Sequence, residues 1–293
     1  MTEHSIDAGG GRVLHVVEGG EADGFPILVH HGTPGCGLIY EPHAEDAAER
    51  GIRLIAYDRT GYRGSSRHAG RSVADVAADV AAIADALGFE RLATWGISGG
   101  GPHALACAAL LPGRIVAAAS LASPAPYDAD GLDYLAGMGE DNVVEFNAAL
   151  EGEQALRPFH ERDAPLLAAG GPDGLREGIA TLLSAVDATA LQGALAAHLY
   201  DGFVGGLSSG IDGWLDDDLA FVAPWGFDLD AIALPVLLWH GVEDRFVPHA
   251  HGEWLAARIP GVEARITAED GHLTLYENRI PEVHAWLLER AGA

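Results

Sequence analysis

No lysine occurs anywhere in the 293 residues; all seventeen basic side chains are arginines, against 43 aspartates and glutamates. The formal net charge of −26 would repel a nucleic acid or an anionic membrane, so neither is an expected partner. Phosphate-binding loops of the G-x-x-x-x-G-K-[S/T] type need a lysine, so Gly61-x-x-Gly64 is not one. Cysteine is almost absent. Cys36 and Cys107 are too few for a disulfide framework and fit a reducing cytoplasm. Met1-Thr-Glu-His-Ser-Ile-Asp-Ala-Gly-Gly10 shows neither a basic start nor an apolar core, so no secretory leader is read and a cytoplasmic location is expected. The most apolar stretch, His103 to Ala125, is cut by Pro112-Gly-Arg114 and reads as helix, turn and strand, so no membrane span is expected.

What is present is apolar material in short, alternating blocks, at 48% hydrophobic residues overall. Strands are read at about 12–17, 26–30, 53–57, 91–95, 115–122, 235–240 and 262–267, and helices at about 72–87, 101–111, 249–258 and 281–291. Such alternation predicts an α/β fold, a mostly parallel sheet with helices on both faces. Gly9-Gly-Gly11 before the first strand suggests an opening antiparallel hairpin. The alternation stops between Tyr127 and Ala231. Helical patterns near 141–157, 175–187, 189–200 and 211–222 replace it, divided by Gly170-Gly-Pro172 and Gly205-Gly206. The chain therefore divides into a first core part at 1–126, a helical insertion at 127–231 and a second core part at 232–293. The insertion holds twenty acidic residues and three arginines. If those acids faced a cleft, cationic substrates would be favoured; if they lined outer helix faces, they would only keep the protein soluble. Asp216-Asp-Asp218 beside Trp214 is the group expected to turn inward.

Three short motifs carry chemistry. Ser98 stands at the centre of Gly96-Ile-Ser-Gly-Gly100, after an apolar strand and before an alanine-rich helix. A chain turning that sharply needs small neighbours two before and two after the apex. Asp244 follows the strand Pro235-Val-Leu-Leu-Trp239, and Gly271-His272 follows Val262–Thr267. A serine hydroxyl is a poor nucleophile near neutral pH, so an imidazole must take its proton and a carboxylate must hold the imidazole. Glu243 competes with Asp244 for that last role, since successive side chains leaving a strand point in different directions. The third motif, His31-Gly-Thr-Pro-Gly35, follows the strand Pro26–His30. In acyl transfer the carbonyl oxygen becomes an anion and needs two preorganised N–H groups. Gly99, next after the candidate nucleophile, and Thr33 are the candidate donors.

With Asp58-Arg-Thr-Gly-Tyr-Arg-Gly-Ser65, these motifs span nearly the whole chain, and it resembles the α/β-hydrolase superfamily. The pattern is most similar to the cap-bearing branch that holds prolyl iminopeptidases, small esterases and epoxide hydrolases. The resemblance implies the order Ser98…Asp244…His272 and, through Gly-x-x-Asp, selects Asp244; some relatives place the acid where Asp128 stands. It implies a helical cap at 127–231. It also implies a small-molecule substrate, a carboxylic ester or amide, with no metal or cofactor; oligomeric state is not implied. Thr33 stands where aminopeptidase relatives carry a second glycine. Epoxide hydrolases and haloalkane dehalogenases of this branch carry aspartate where this chain has Ser98. The alternatives are a prolyl-iminopeptidase-like exopeptidase and, in a different class, a ligand-binding receptor or scaffold on the same fold.

Other residues have plainer readings. Asp58 and Arg59 are expected to brace a glycine-rich loop below the site. His249-x-His251, with His240 nearby, lacks the further ligands of a metal site and is read as exposed histidines at a helix start. Trp214, Phe221, Trp225 and Phe227 are expected to pack the helical layer, with a pocket lining as the alternative. Cys36 is read as a small buried filler near the site.

Overall fold

Along the short strand Phe25–His30, Ile27 packs into one hydrophobic cluster and its neighbour Leu28 into another. The same division separates Leu54 and Ala56 from Ile55 and Tyr57, as a strand buried on both faces requires. The computed structural model, which describes residues 1–293, builds these strands into one eight-stranded sheet. The strands are β1 (Thr2–Gly9), β2 (Arg12–Gly20), β3 (Phe25–His30), β4 (Ile52–Tyr57), β5 (Leu92–Ile97), β6 (Ile115–Leu121), β7 (Val236–Gly241) and β8 (Glu263–Thr267). Their spatial order is β1-β2-β4-β3-β5-β6-β7-β8. β1–β2 and β2–β4 are antiparallel, so the glycine run does close an opening hairpin; every other pair is parallel.

Helices cover both faces. α2 (Val76–Leu87), α3 (Gly101–Leu110) and α10 (His249–Ala256) bury Val80, Leu105 and Leu255 against one. α1 (Glu41–Glu49) and α11 (His272–Ala291) bury Ala47, Val283 and Trp286 against the other. No pattern read from the sequence found α1, because only His43 and Ala47 of its nine residues are buried. α11 begins at His272, not near Pro281: the proline lies inside the helix, and the two turns before it bury Leu273 and Leu275. No helix is long and apolar enough to cross a membrane.

Six helices lie between β6 and β7: α4 (Glu140–Glu151), α5 (Glu153–Ala168), α6 (Gly171–Gly178), α7 (Ala185–Ala190), α8 (Gly193–Gly206) and α9 (Asp212–Val222). The reading of one helix over 141–157 is corrected. Gly152, at φ +98°, ends α4, and α5 runs on through Pro158 and Pro165. The expected helix at 175–187 is likewise three short pieces, with a single turn at Ala180–Leu182 between α6 and α7. Leu182, Leu191 and Leu195 of this layer pack with Tyr40 and Leu273 of the sheet domain.

The topology locates the cleft. After β3 the chain places β4 on one side of it and β5 on the other, so the strand order reverses between β3 and β5. Ligands of open α/β sheets lie beyond the carboxyl ends of the strands at such a switch point. There the loop at Thr33 leaves β3 and Ser98 leaves β5.

Candidate active site

Ser98 holds φ +55°, a left-handed conformation costing about 1–2 kcal/mol for a residue with a Cβ. Its glycines are required by space. A Cβ on Gly96 would collide with the Gly100 carbonyl, and one on Gly100 with the His30 carbonyl. The chain passes from β5 through one turn at Ser98–Gly100 into α3, leaving Ser98 on the wall of two adjoining cavities. These have volumes of about 240 and 130 Å³. Gly99 and Thr33 line the larger with Ser98, and the Thr33 side chain lies directly against Gly99. His272 lines the smaller, again with Ser98 and Thr33.

His272 Nδ1 pairs with Asp244 Oδ2 at 2.8 Å, and both residues are buried. The other carboxylate oxygen of Asp244 accepts the N–H groups of Phe246 and Val247, each at 2.9 Å. Glu243 and Asp128 are exposed and do not meet His272. Burial opposes the charge on Asp244, yet His272 and His240 outweigh it and hold the carboxyl at about 2. Burial likewise disfavours a charged His272, and the Asp244 carboxylate more than reverses this, raising the imidazole above its ordinary value. The structure thus brings together all five residues singled out in the sequence, Ser98, Asp244 and His272 with Thr33 and Gly99.

It also supplies a carboxylate that no motif announced. Asp187 of α7 is fully buried, and its oxygens accept the N–H groups of His272, Leu273 and Thr274 at 3.0, 2.8 and 3.1 Å. Thr274 Oγ1 takes the N–H of Gly271 at 2.7 Å. The orphan donors at the start of α11 are all satisfied, and a negative charge sits where the helix dipole favours it. Gly271 has φ −105°, open to any residue; what it provides is room, since a Cβ there would strike the Asp187 carboxylate. That glycine was the sequence signal, and it marked a close approach.

A second aspartate of the helical insertion braces the loop after β3. Asp217 of α9 is fully buried and accepts from Thr33 Oγ1 at 2.7 Å, Tyr62 Oη at 2.8 Å and Arg59 Nη2 at 2.6 Å. Arg71 also donates to it. Arg59 in turn donates to the carbonyls of His31 and Gly32 and to Thr33 Oγ1. Burial works against the Asp217 charge, but Arg59 and Arg71 hold its carboxyl well below the usual range. Asp58 does not pair with Arg59. It takes His15 and the N–H groups of Gly37 and Gly64, so the two residues brace different loops. Asp217→Ala would leave two buried guanidiniums without their counter-charge, and urea denaturation should show a loss of about 3–5 kcal/mol. A loss within the range of an exposed pair would contradict this account of the loop.

The third cluster adjoins the larger cavity, which Glu145, Trp214 and Asp218 help line. His160 Nε2 stands 2.9 Å from Asp218 Oδ2 and 3.2 Å from Glu145 Oε1, and its ring stacks on Trp214 at 3.9 Å. Three such ligand atoms could hold a metal ion. Burial opposes charging the imidazole, but Asp218 and Glu145 push it up to about 9, while burial and Glu145 raise the Asp218 carboxyl well above the usual range, so near neutral pH the cluster holds a proton among its members. No spacing in the sequence marks this group, whose members lie on three helices. Asp216, Asp217 and Asp218 are all buried, but of the three only Asp218 lines a cavity, so the expected turn toward the cleft holds for that one alone. Each is matched, by Arg67, by Arg59 with Arg71, and by His160, so they present no free negative wall.

The remaining expectations divide. Trp214 and Phe221 line the larger cavity, whereas Trp225 and Phe227 stack on each other at the sheet-domain core. Cys36 is a buried filler lining the smaller cavity, its thiol pushed up to about 11 by burial and by Asp58. The exposed reading of the histidines is corrected for His251 and His240, whereas the His249 side chain is 37% exposed. His251 is buried, accepting the Ala125 N–H at 3.1 Å and donating to the Tyr134 carbonyl at 2.9 Å. His240 is buried and donates to the Val247 carbonyl at 2.7 Å.

The α/β hydrolase fold family matches residues 26–279. The chain belongs to that family. It is 27% identical over 249 residues to a non-heme chloroperoxidase of Streptomyces lividans, covering 84% of each chain. It is 26% identical over 321 aligned positions to epoxide hydrolase A of Mycobacterium tuberculosis, covering 98% of this chain and 96% of that one. Among solved structures, a thermophilic esterase from Thermogutta terrifontis superposes with a TM-score of 0.71 at 20% identity, over 99% of both chains. The enol-lactonase of Burkholderia xenovorans does so with a TM-score of 0.67 at 18% identity, over 98% and 100%. At these identities the structural likeness speaks for the fold.

Proposed function

We propose that this protein is a serine hydrolase that cleaves a small carboxylic ester or amide through an acyl-enzyme, with the insertion at 127–231 as its cap. The observation that carries the reading is Ser98 on a left-handed elbow, sharing a cavity wall with a histidine that is hydrogen-bonded to a buried aspartate. Ser98 Oγ attacks the carbonyl carbon as His272 takes its proton, and the oxyanion is met by the N–H groups of Gly99 and Thr33. Collapse breaks the bond to the alcohol or amine, which leaves with the proton from His272. Water, deprotonated by the same imidazole, then releases the acid and restores Ser98. Asp244 fixes the imidazole tautomer and stabilises its charged form. No step calls for a metal or cofactor.

The test is hydrolysis of nitrophenyl acetate followed across pH. His272 must be neutral to accept a proton, and its raised value places the acid limb of kcat/KM above about 6.5, the ordinary histidine value. Asp244, with His240 behind it, and Asp187 are the charged groups around this imidazole. Asp187→Asn removes one of its negative neighbours, so the acid limb should move to lower pH. Absence of turnover on esters and amino-acid amides alike would overturn the hydrolase reading in favour of a ligand-binding role.

A further inference from the structure

We propose that the cleft is divided at Ser98 into an acyl arm and a leaving-group arm, and that the protein prefers non-anionic arylalkanoyl esters of short alcohols. The inference rests on the serine-hydrolase reading and adds which end of the substrate goes where. The two cavities share Ser98, Thr33 and Pro34 at their junction, with Ile179, Phe203 and Phe246 overhead. Only the smaller is lined by His272, and only the larger by Gly99. When the tetrahedral intermediate collapses, the departing oxygen takes its proton from His272, so it must lie on the His272 side. The acyl chain leaves the same carbon in another direction and is directed into the larger cavity.

Size then sets the class. A dry cavity of about 150 Å³ accepts benzene. Both arms open to solvent, but the acyl arm, at about 240 Å³, is nearly twice the leaving-group arm, at about 130 Å³, so a ring with its linker is directed to the acyl arm. Phe146, Phe159, Trp214 and Phe221 line the acyl arm, offering the edges and faces that aromatic rings pack against. In the same lining the Glu145 and Asp218 carboxyls already face the His160 imidazole. Asp141 and the Arg162–Asp163 pair line the same arm, so every cation there already faces a carboxyl and an acyl carboxylate would find no free counter-charge.

Two isomeric esters separate the arms, since both release one acid proton and can be followed by titration. Ethyl 3-phenylpropanoate carries its ring on the acyl side, and 2-phenylethyl propanoate carries it on the alcohol side. The expected result is a kcat/KM at least about tenfold higher for the first, the scale on which hydrophobic pockets discriminate shape. Gly178 lines only the acyl arm and Gly202 only the other, and a Cβ at either meets nothing within 4 Å. Gly178→Leu should therefore lower kcat/KM for ethyl 3-phenylpropanoate more than for ethyl propanoate. Gly202→Leu should instead penalise butyl relative to ethyl 3-phenylpropanoate. Because each comparison is a ratio within one variant, partial misfolding cannot imitate it. Preference for 2-phenylethyl propanoate, or equal rates for the isomers, would overturn the division of the cleft while leaving the hydrolase reading in place. Hydrolysis of neither isomer, nor of nitrophenyl acetate, would instead remove the reading on which it rests.

Discussion

Ser98→Ala should lower kcat for ester hydrolysis by about 10⁶-fold, the scale seen when a triad nucleophile is removed. No other group can take over. Cys36 lines the same smaller cavity, but its thiol is held at about 11 and remains protonated near neutral pH. A residual rate above that in water should persist, because the N–H groups of Gly99 and Thr33 are untouched. The fold should survive, since alanine keeps the Cβ that the elbow already accommodates. Coincident urea transitions for parent and variant, with activity lost, are the expected pair of results. Retention of activity by Ser98→Ala would mean that another group attacks.

Asp244→Asn should lower kcat by about 10⁴-fold, because the imidazole loses the carboxylate that fixes its tautomer and stabilises its charge. Asparagine keeps an oxygen for the N–H groups of Phe246 and Val247, so the loop it supports should remain. The same change removes the largest influence that raises His272, so the acid limb of the remaining activity should move to lower pH. Glu243→Gln, one residue earlier and exposed, should do little. If Glu243→Gln is the crippling change and Asp244→Asn is mild, the acid has been misassigned.

What could be read from the sequence was local in the chain. The elbow was legible because a sharp turn demands small residues at fixed positions, and Gly96 and Gly100 stand where a Cβ would meet backbone. Asp244 and His272 were legible because each follows soon after a strand, β7 and β8 respectively. The helices α2, α3 and α10 showed through their burial, whereas α1, with two buried residues, left no stripe to find. The readings ended one helix at 157 and began another at 281, yet Pro158 and Pro281 each lie inside a helix held by packing on both sides of it.

What could not be read was pairing across distance. Asp187 lies 85 positions from His272, and Asp217 lies 158 from Arg59. Both aspartates sit on the helical insertion and reach into the sheet domain, so nothing near them in sequence announces a partner. Arg59 illustrates the point. Its neighbour Asp58 was the obvious counter-charge, and the chain instead directs the two side chains to different loops. The burial of Asp216-Asp-Asp218 was foreseen from Trp214, though only Asp218 reaches the cleft; their four partners, Arg67, Arg59, Arg71 and His160, were not foreseen.

Covalent labelling with a fluorophosphonate tests the central claim most directly, because the reagent is captured by an activated serine and mimics the tetrahedral intermediate. The account predicts one phosphonyl group per chain, located on Ser98 by peptide mass, with loss of esterase activity in proportion and no labelling of Ser98→Ala. Labelling that persists in Ser98→Ala, or a parent protein that hydrolyses esters yet takes no label at Ser98, would contradict it.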